Sequence, residues 1–300
     1  MLSKLDIDKE LGKGINIYPF NSENIKENSI NLSASKYAWS MKKGRVYIGE
    51  EGEVYSDNKS NSMKEILISK GRTAVREING DKYIILLPLS TTLVETKEVI
   101  AIDSYIGGTY HSKVGLVSLG VGHNGTMFGP NFCGHSLIAI HNVSDYPLKI
   151  KVDDTIVSVV FNYLKTPIDF PNATNNGHLE KMSRLGVILN PSDEEFLNKD
   201  WKKNIFEVRE KMKQSGEFKV YKQDMRKRKL QSIYNYLNIR NSLILVMTLL
   251  IFIIIWYSCS YIDNQNNNSI LTDRYWNVGF SGILVVILQV MIGMIKPQKK

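Results

Sequence analysis

The chain has little cysteine and lacks any hydrophobic leader. Only Cys133 and Cys259 occur among its 300 residues. Two cysteines so far apart exclude a disulfide framework and a zinc site built on cysteine. The first residues, MLSKLDIDKELGKG, are charged and contain no apolar core, so the sequence predicts no signal peptide.

Charge is absent from two long stretches near the C-terminal end. They are residues 241–262 and 275–295, which are 22 and 21 residues long. As helices rising about 1.5 Å per residue, both are long enough for a hydrocarbon core of roughly 30 Å. Buried helices of a soluble protein are the alternative, although such helices rarely lack charge throughout. The sequence therefore predicts a C-terminal transmembrane hairpin with helices at 241–262 and 275–295.

Basic residues flank this predicted hairpin on one side of the membrane. The loop between the two stretches carries one arginine and two aspartates. The residues that precede or follow the hairpin are Arg226, Lys227, Arg228, Lys229, Arg240, Lys296, Lys299 and Lys300. By the positive-inside rule, the N-terminal domain and the C-terminal tail lie in the cytosol, and the chain crosses the inner membrane twice.

The net charge of +8 by itself suggests an acidic partner. Much of the basic excess lies beside the predicted hairpin, where attraction to anionic lipid explains it more simply than a polynucleotide does. We therefore expect a lipid bilayer as a partner and no polynucleotide.

The first half of the chain has the pattern of a mainly β protein. From about residue 45 to 165, short runs rich in Val, Ile, Thr and Tyr alternate with Gly, Pro, Asn and Asp turns. Regular spacing without intervening helices favours a barrel or a sandwich. A short helix is predicted over 4–14. The predicted β domain spans 1–165.

A loop, an amphipathic helix and a basic juxtamembrane linker are predicted over 166–240. Ser192 and Glu195 have the spacing of a capping box at the start of this helix. Its apolar residues at helical spacing are Leu197, Trp201, Ile205 and Met212.

Five segments follow one another in an order that resembles a known superfamily. They are GINIYPF at 14–20, SINL at 29–32, LLPLSTTLVETKEVIAI at 86–102, GGTYHSKVGLVSLGVGHNGTMFGPNFCGHSLIAIHN at 107–142 and DDTIVSVVFNYL at 153–164. Together they resemble the trimeric dCTP deaminase/dUTPase superfamily, in particular its deaminase-like branch. The resemblance implies a dUTPase-like distorted β-barrel or jelly roll, a homotrimer with sites between subunits, and a nucleotide ligand.

The chain departs from the superfamily's motifs where that family carries acids. Asn31 replaces an Asp, Gly129 replaces the Asp of the I-D-P-G-F-x-G turn, and Ala139 replaces the Glu of the following strand. Deamination needs a base that activates water, and dUTP hydrolysis needs a carboxylate that positions it. Neither a hydrogen atom nor a methyl group can do so. The resemblance therefore implies a catalytically degenerate member without catalytic residues.

The family motif that binds phosphate is better preserved in this sequence than the family's acids are. The family's G-R-S-S motif falls on residues 110–113, where a hydroxyl and an ammonium remain to bind phosphate oxygens. The alternative is an ordinary solvated strand end. The candidate nucleotide-binding residues are His111, Ser112, Lys113, Asn124, Gly125, Asn131 and His135.

Metal is expected in this site only as Mg²⁺ that accompanies a bound nucleotide phosphate. His135 and His141 are six residues apart and share a strand face, but no nearby residue supplies a third ligand. His111 and His123 are expected to be pocket or packing residues. We therefore expect no resident metal site.

Three hypotheses about function remain at this stage. The first is a membrane-anchored nucleotide sensor or effector that binds a dNTP or a cyclic or modified nucleotide, an arrangement that resembles bacterial antiphage defence effectors. The second is a membrane-tethered dCTP deaminase or dUTP pyrophosphatase that uses relocated acids, with Glu95, Asp103 and Asp153 as candidates. The third is a scaffold without a ligand.

Overall fold

The computed structural model describes residues 1–168 and 177–236, together with isolated positions between 246 and 282. The chain divides into two compact units, Met1–Val220 and Tyr221–Lys300. Every strand that the structure describes lies in the first unit, so the prediction of a mainly β N-terminal domain is confirmed. Its strands are β1 Ile15–Tyr18, β2 Ile30–Ser40, β3 Gly44–Ile48, β4 Val54–Tyr55, β5 Lys64–Ile68, β6 Val75–Ile78, β7 Asp81–Leu86, β8 Ser90–Ile102, β9 Ile106–Ser112, β10 Val121–Gly122, β11 Met127–Phe128, β12 Cys133–Asn142, β13 Leu148–Lys151 and β14 Thr155–Tyr163.

The main sheet is antiparallel and has β8 near its centre. Its strand order is β10-β12-β8-β2-β14-β9-β11, and β1 also pairs with β8. β12 pairs with one edge of β8, whereas β2 and β1 pair with successive parts of the other edge. Most residues of β8 are buried, because both faces of this sheet are covered. A strand rich in Val, Thr and Ile suits such a position.

Two small sheets complete the β domain. One has the order β13-β7-β6 and the other β4-β3-β5. Their apolar residues form a core of their own, which is separate from the clusters on the main sheet. Its buried members are Val46, Ile48, Ile68, Ile78, Ile85 and Leu87.

Of the described α-helices, one precedes the strands, a short one follows β9 and four follow β14. They are α1 Lys4–Glu10, α2 Val114–Val117, α3 Gly177–Arg184, α4 Pro191–Asn198, α5 Ile205–Gln214 and α6 Gly216–Tyr236. α1 begins with a capping box between Ser3 and Asp6. It ends earlier than the predicted residue 14, because Gly12 takes a φ of 84° that no right-handed helix allows.

The single helix predicted after Pro191 is wrong in two respects. Its capping box joins Asn190 and Asp193 instead of Ser192 and Glu195, because Pro191 is the first helical residue and Asn190 caps it. The helix also stops at Asn198, where Lys199 leaves the helical region with a ψ of 118°. A short 3-10 turn at Asp200–Lys203 then leads into α5. We call residues 177–214 the helical arm.

Among the described residues, no helix is both long enough and apolar enough to cross a membrane. The predicted transmembrane helices at 241–262 and 275–295 fall outside the described residues, apart from isolated positions.

Candidate functional site

A cleft opens where β9 ends and α2 begins. The Ser112 Oγ donates to the carbonyl of His123, and the His123 backbone N–H donates to the Ser112 Oγ, both at 3.0 Å. This exchange joins the end of β9 to the start of the β10–β11 turn. The cleft is small, with a volume of about 10 Å³, and partly open to solvent, and it is lined by Ser112, Lys113, Leu116, Val121, Gly122, His123, Ile140 and Ile156.

Lys113 supplies the positive charge of this cleft. Its Nζ donates to the Thr155 Oγ1 at 2.8 Å, so this contact is with a neutral hydroxyl. Partial burial lowers the pKa of Lys113, and the charge of Lys26 lowers the pKa further. An anion bound in the cleft would raise the pKa of Lys113 again. Its negative charge would stabilise the ammonium and offset the repulsion from Lys26.

Two further candidates, Asn124 and Gly125, lie in the exposed turn beside the cleft. The Asn124 carbonyl lies 2.9 Å from the His123 Nδ1. A Cβ at Gly125 would approach the Tyr110 carbonyl oxygen to 3.2 Å, so a larger residue would fit tightly. His111 is exposed on β9, where its Nε2 lies 2.9 Å from the Thr109 Oγ1.

The other two candidates lie elsewhere. Asn131 sits in the turn before β12 with a φ of 60°, and its Nδ2 donates to the Ile168 carbonyl at 2.9 Å. His135 is 6% exposed, its Nδ1 lies 2.8 Å from the Thr96 carbonyl oxygen, and its ring lies 4.8 Å from that of Phe196. Five of the seven predicted residues therefore lie on or beside the cleft, and these two do not.

Gly129 and Ala139, the positions at which the resemblance implies lost acids, have different surroundings. Gly129 is exposed in the turn after β11. Ala139 lies on β12, where it packs into an apolar cluster whose buried members include Trp39, Met182 and Val187. Met182 and Val187 both belong to the helical arm. The arm therefore covers the sheet face on which Ala139 lies.

The three acids proposed as relocated catalysts each have a defined environment. The Asp153 carboxylate pairs with Lys97 at 2.8 Å, and that of Asp103 pairs with Arg209 at 2.9 Å. Burial raises the pKa of Asp103, whereas Arg209 lowers it. Glu95 is 0% exposed. None of these acids lines the cleft described above.

Asn31, the third position at which the resemblance implies a lost acid, lies on β2. Its Oδ1 accepts from the Ser158 Oγ at 2.7 Å, which joins β2 to β14. Nearby, the buried Glu98 accepts from the Ser33 backbone N–H at 2.8 Å. Burial raises the pKa of Glu98. Both side chains also line a second cavity, whose other lining residues are mainly apolar.

Thr155 and Phe196 were not singled out from the sequence. Thr155 contacts Lys113 in the cleft, whereas His123, which was expected to be a pocket or packing residue, contacts Ser112. Phe196 covers His135 from the arm. Within the described part of the chain, no group of three His, Cys, Asp or Glu residues is placed to hold a metal ion.

The comparisons with known proteins agree with the architecture of the β domain. The family model described as dCTP deaminase-like matches residues 1–164. A dUMP-forming dCTP deaminase of Thermobifida fusca (strain YX) is 24% identical over 174 residues, which cover 57% of this chain and 82% of that protein. A dCTP deaminase of Helicobacter hepaticus is 24% identical over 153 residues, covering 51% and 79% of the two chains.

Solved structures include more distant matches. The crystal structure of a 2'-deoxycytidine 5'-triphosphate deaminase from Agrobacterium tumefaciens aligns with a TM-score of 0.37 and 11% identity. That alignment covers 60% of this chain and about half, 52%, of the Agrobacterium chain. A dUTPase of EIAV aligns with a TM-score of 0.26 and 14% identity, over 33% of this chain and 90% of the dUTPase.

Proposed function

The chain belongs to the dCTP deaminase-like family, and we propose from this premise that its β domain binds a nucleotide without turning it over. The ligand is a dNTP or a cyclic or modified nucleotide, and its phosphates bind in the cleft at the end of β9. Both curated relatives are named for dCTP, which supports a nucleotide as the ligand class.

The observation that carries this proposal is the arrangement around Lys113. Its ammonium lies beside the Thr155 hydroxyl, and Ser112 lies next to it in the cleft wall. A lysine and hydroxyl groups at the edge of a cleft can bind phosphate oxygens through charge-assisted hydrogen bonds. The described lining residues include no carboxylate, so any Mg²⁺ would arrive with the phosphates and be held by them.

Two observations argue against turnover. Gly129 and Ala139 offer no group that can take a proton, and both stand where the family motifs carry acids. Ala139 is also partly buried, against an apolar cluster to which the helical arm contributes. Both observations are consistent with a domain that binds a nucleotide without reacting with it.

The proposal extends to the membrane. The uncharged stretches at 241–262 and 275–295, with basic residues on their cytosolic flanks, would anchor the protein in the inner membrane by two spans. The β domain and the C-terminal tail would then face the cytosol. We propose that the protein is a homotrimeric sensor or effector, in which nucleotide binding changes the state of this membrane module, as in antiphage defence.

Substituting Lys113 tests the ligand site. A panel of dNTPs and cyclic dinucleotides is screened by thermal shift, where a ligand at 100 times its Kd should add about 2.7 kcal/mol of stability. We expect Lys113→Ala to weaken binding of the active ligand about tenfold or more, because a charge-assisted contact to phosphate is lost. Isothermal titration measures the change.

Lys64→Ala is the matched control, because Lys64 is an exposed lysine on β5, outside the cleft lining. It should leave affinity unchanged. If no nucleotide shifts the melting temperature, or if the two variants behave alike, the cleft is not the site and the scaffold hypothesis gains support.

The names of the curated relatives keep a second candidate open, a membrane-tethered dCTP deaminase or dUTP pyrophosphatase. The test is to incubate the purified protein with dCTP or dUTP and to assay uracil nucleotides and pyrophosphate. Turnover that is abolished by a substitution of Glu95, Asp103 or Asp153 would establish an enzyme with relocated acids. Absence of turnover in a preparation that binds nucleotide would support the sensor.

A further inference from the structure

Helix α5 lies on the main sheet through two buried side chains. Val208 and Met212 are four residues apart, so they share one face of the helix, and both are 0% exposed. The Met212 Sδ lies 3.1 Å from the Ile17 backbone nitrogen on β1. The apolar cluster around Val208 contains Val99, Ala101 and Cys133. The apolar face of α5 therefore covers parts of β1, β8 and β12.

Arg209, which follows Val208, adds an ion pair to this apolar contact. Its Nη2 donates to both carboxylate oxygens of Asp103, at 2.9 and 3.1 Å. The same nitrogen donates to the Lys13 carbonyl at 2.8 Å. The two charged side chains are 25% and 28% exposed, so the pair is largely withdrawn from solvent. Charge-assisted hydrogen bonds in such a position are stronger than neutral ones and are less screened by salt than those of a surface pair.

The position of Asp103 is fixed by its neighbours. Its backbone N–H donates to the Gly14 carbonyl at 3.0 Å, directly after Lys13. Close by, the Glu10 carboxylate accepts from the hydroxyls of Tyr105 at 2.8 Å and Tyr163 at 2.9 Å. Glu10 therefore has hydrogen-bond partners of its own beside the ion pair.

The ion pair joins segments that lie far apart in the sequence. Asp103 stands in the turn between β8 and β9, Lys13 precedes β1, and Arg209 belongs to the helical arm. β9 runs from this turn to Ser112 at the cleft, and α5 is followed by α6. The pair therefore connects the strand that ends at the cleft with the helix that precedes α6.

We propose that Arg209 is a clasp that holds α5 on the sheet, and that α5 lifts as a unit when Asp103 releases it, while the β domain stays folded. Lifting one helix breaks only the contacts of that helix, so it costs less free energy than global unfolding. It uncovers Cys133 and the parts of β8 and β12 beside it. The clasp is a regulatory contact that goes beyond nucleotide binding and does not rest on it.

Cys133 reports directly on the lifting of α5. It is 2% exposed, packs in the cluster that contains Val208, and donates its thiol to the Lys202 carbonyl, with 3.3 Å between Sγ and O. Burial raises the pKa of the thiol to about 12, so the covered thiol is unreactive near neutral pH. The parent is the full-length chain in detergent with Cys259→Ser, which leaves Cys133 as the one thiol in the sequence. Iodoacetamide, which is uncharged, labels each variant at one fixed pH.

Arg209→Met and Asp103→Asn, alone and together, form a double-mutant cycle. We expect Arg209→Met to speed labelling of Cys133 by about tenfold, because it removes the contacts to the carboxylate and to the Lys13 carbonyl. Asp103→Asn keeps the shape and removes the charge, and it should speed labelling by about fivefold. The double variant should label within about twofold of Arg209→Met, because a shared contact is lost only once.

Two variants serve as matched controls. Lys213 lies on the same helix and pairs with Glu210 at 3.2 Å, with the two side chains 43% and 39% exposed, so Lys213→Met tests the helix itself. Arg45 pairs with Glu65 between β3 and β5, outside the arm, so Arg45→Met tests the loss of an arginine. Each control should change the labelling rate by less than about twofold, because exposed pairs contribute little.

The urea dependence of labelling separates lifting of α5 from global unfolding. The slope against urea scales with the surface that opens, so lifting of one helix gives a shallow slope and unfolding gives a steep one. We expect a shallow slope at low urea for the parent and for both single variants. A steep slope throughout would overturn the clasp, because α5 would then open only together with the β domain.

Two other results would also overturn it. One is a pair of single variants that label no faster than the controls. The other is a double variant whose effect is the product of the two single effects, as for independent sites. If Arg209→Met fails to fold, Arg209→Lys takes its place in the cycle, because it keeps the charge and loses the planar guanidinium, and it is judged by the same criteria.

Discussion

Truncation of Trp39 to alanine is expected to lower the free energy of unfolding of the β domain by about 3–5 kcal/mol. Trp39 is 1% exposed and is the largest of the fully buried side chains. It packs between the sheet residues Tyr37 and Leu93 and the arm residues Met182 and Val187. Alanine would remove this apolar area and leave a cavity that backbone on both sides prevents from closing fully.

Urea denaturation of the full-length chain, followed by far-UV circular dichroism, measures this loss. Leu67→Ala is the control, because Leu67 is a large apolar residue that is 61% exposed on β5. It should change stability by less than about 0.5 kcal/mol. A Trp39→Ala loss of similar size would mean that the arm does not pack on this face.

The second large effect is expected when a carboxylate is introduced at position 139. Ala139→Glu should destabilise the β domain by about 2 kcal/mol, because the larger, charged side chain would have to fit at a partly buried position against an apolar cluster. Urea denaturation measures this loss.

Two comparison variants separate the causes. Ala139→Gln has the same volume without the charge, so the difference between the two variants reports the buried charge alone. Val143→Glu introduces glutamate at a position that is 70% exposed, and it should be tolerated. An Ala139→Glu variant that is as stable as the parent and deaminates dCTP would show instead that this face is open to substrate and that the arm is no barrier.

Much of the β domain could be predicted from the sequence. The strands that contain Thr91, Val99 and Ile138 were expected because runs rich in Val, Ile and Thr between turn residues are a local property of the sequence. The same holds for the end of β9, where Ser112 and Lys113 follow one another and necessarily lie together. Asn124 and Gly125 come later in the chain, and the contact between Ser112 and His123 brings them beside the same cleft.

The prediction of one amphipathic helix after Pro191 failed because helical spacing does not reveal a break. Leu197, Trp201, Ile205 and Met212 keep the spacing of a helix, yet Lys199 leaves the helical conformation so that the arm can follow the sheet. Capping also shifted by two residues, since Asn190 precedes the proline and Ser192 follows it. Both errors concern the residues at which a helix begins or ends. Tertiary contacts decide these positions more strongly than helix propensity does.

The sequence by itself determined the mainly β domain, the absence of acids at positions 129 and 139, and the two uncharged C-terminal stretches. Only the tertiary structure decided what covers each face of the sheet. His135 was expected to bind a ligand but lies beneath Phe196, which is 61 positions away. No local sequence pattern links residues so far apart. Which residues of a sheet face become buried depends on which distant segment packs on that face.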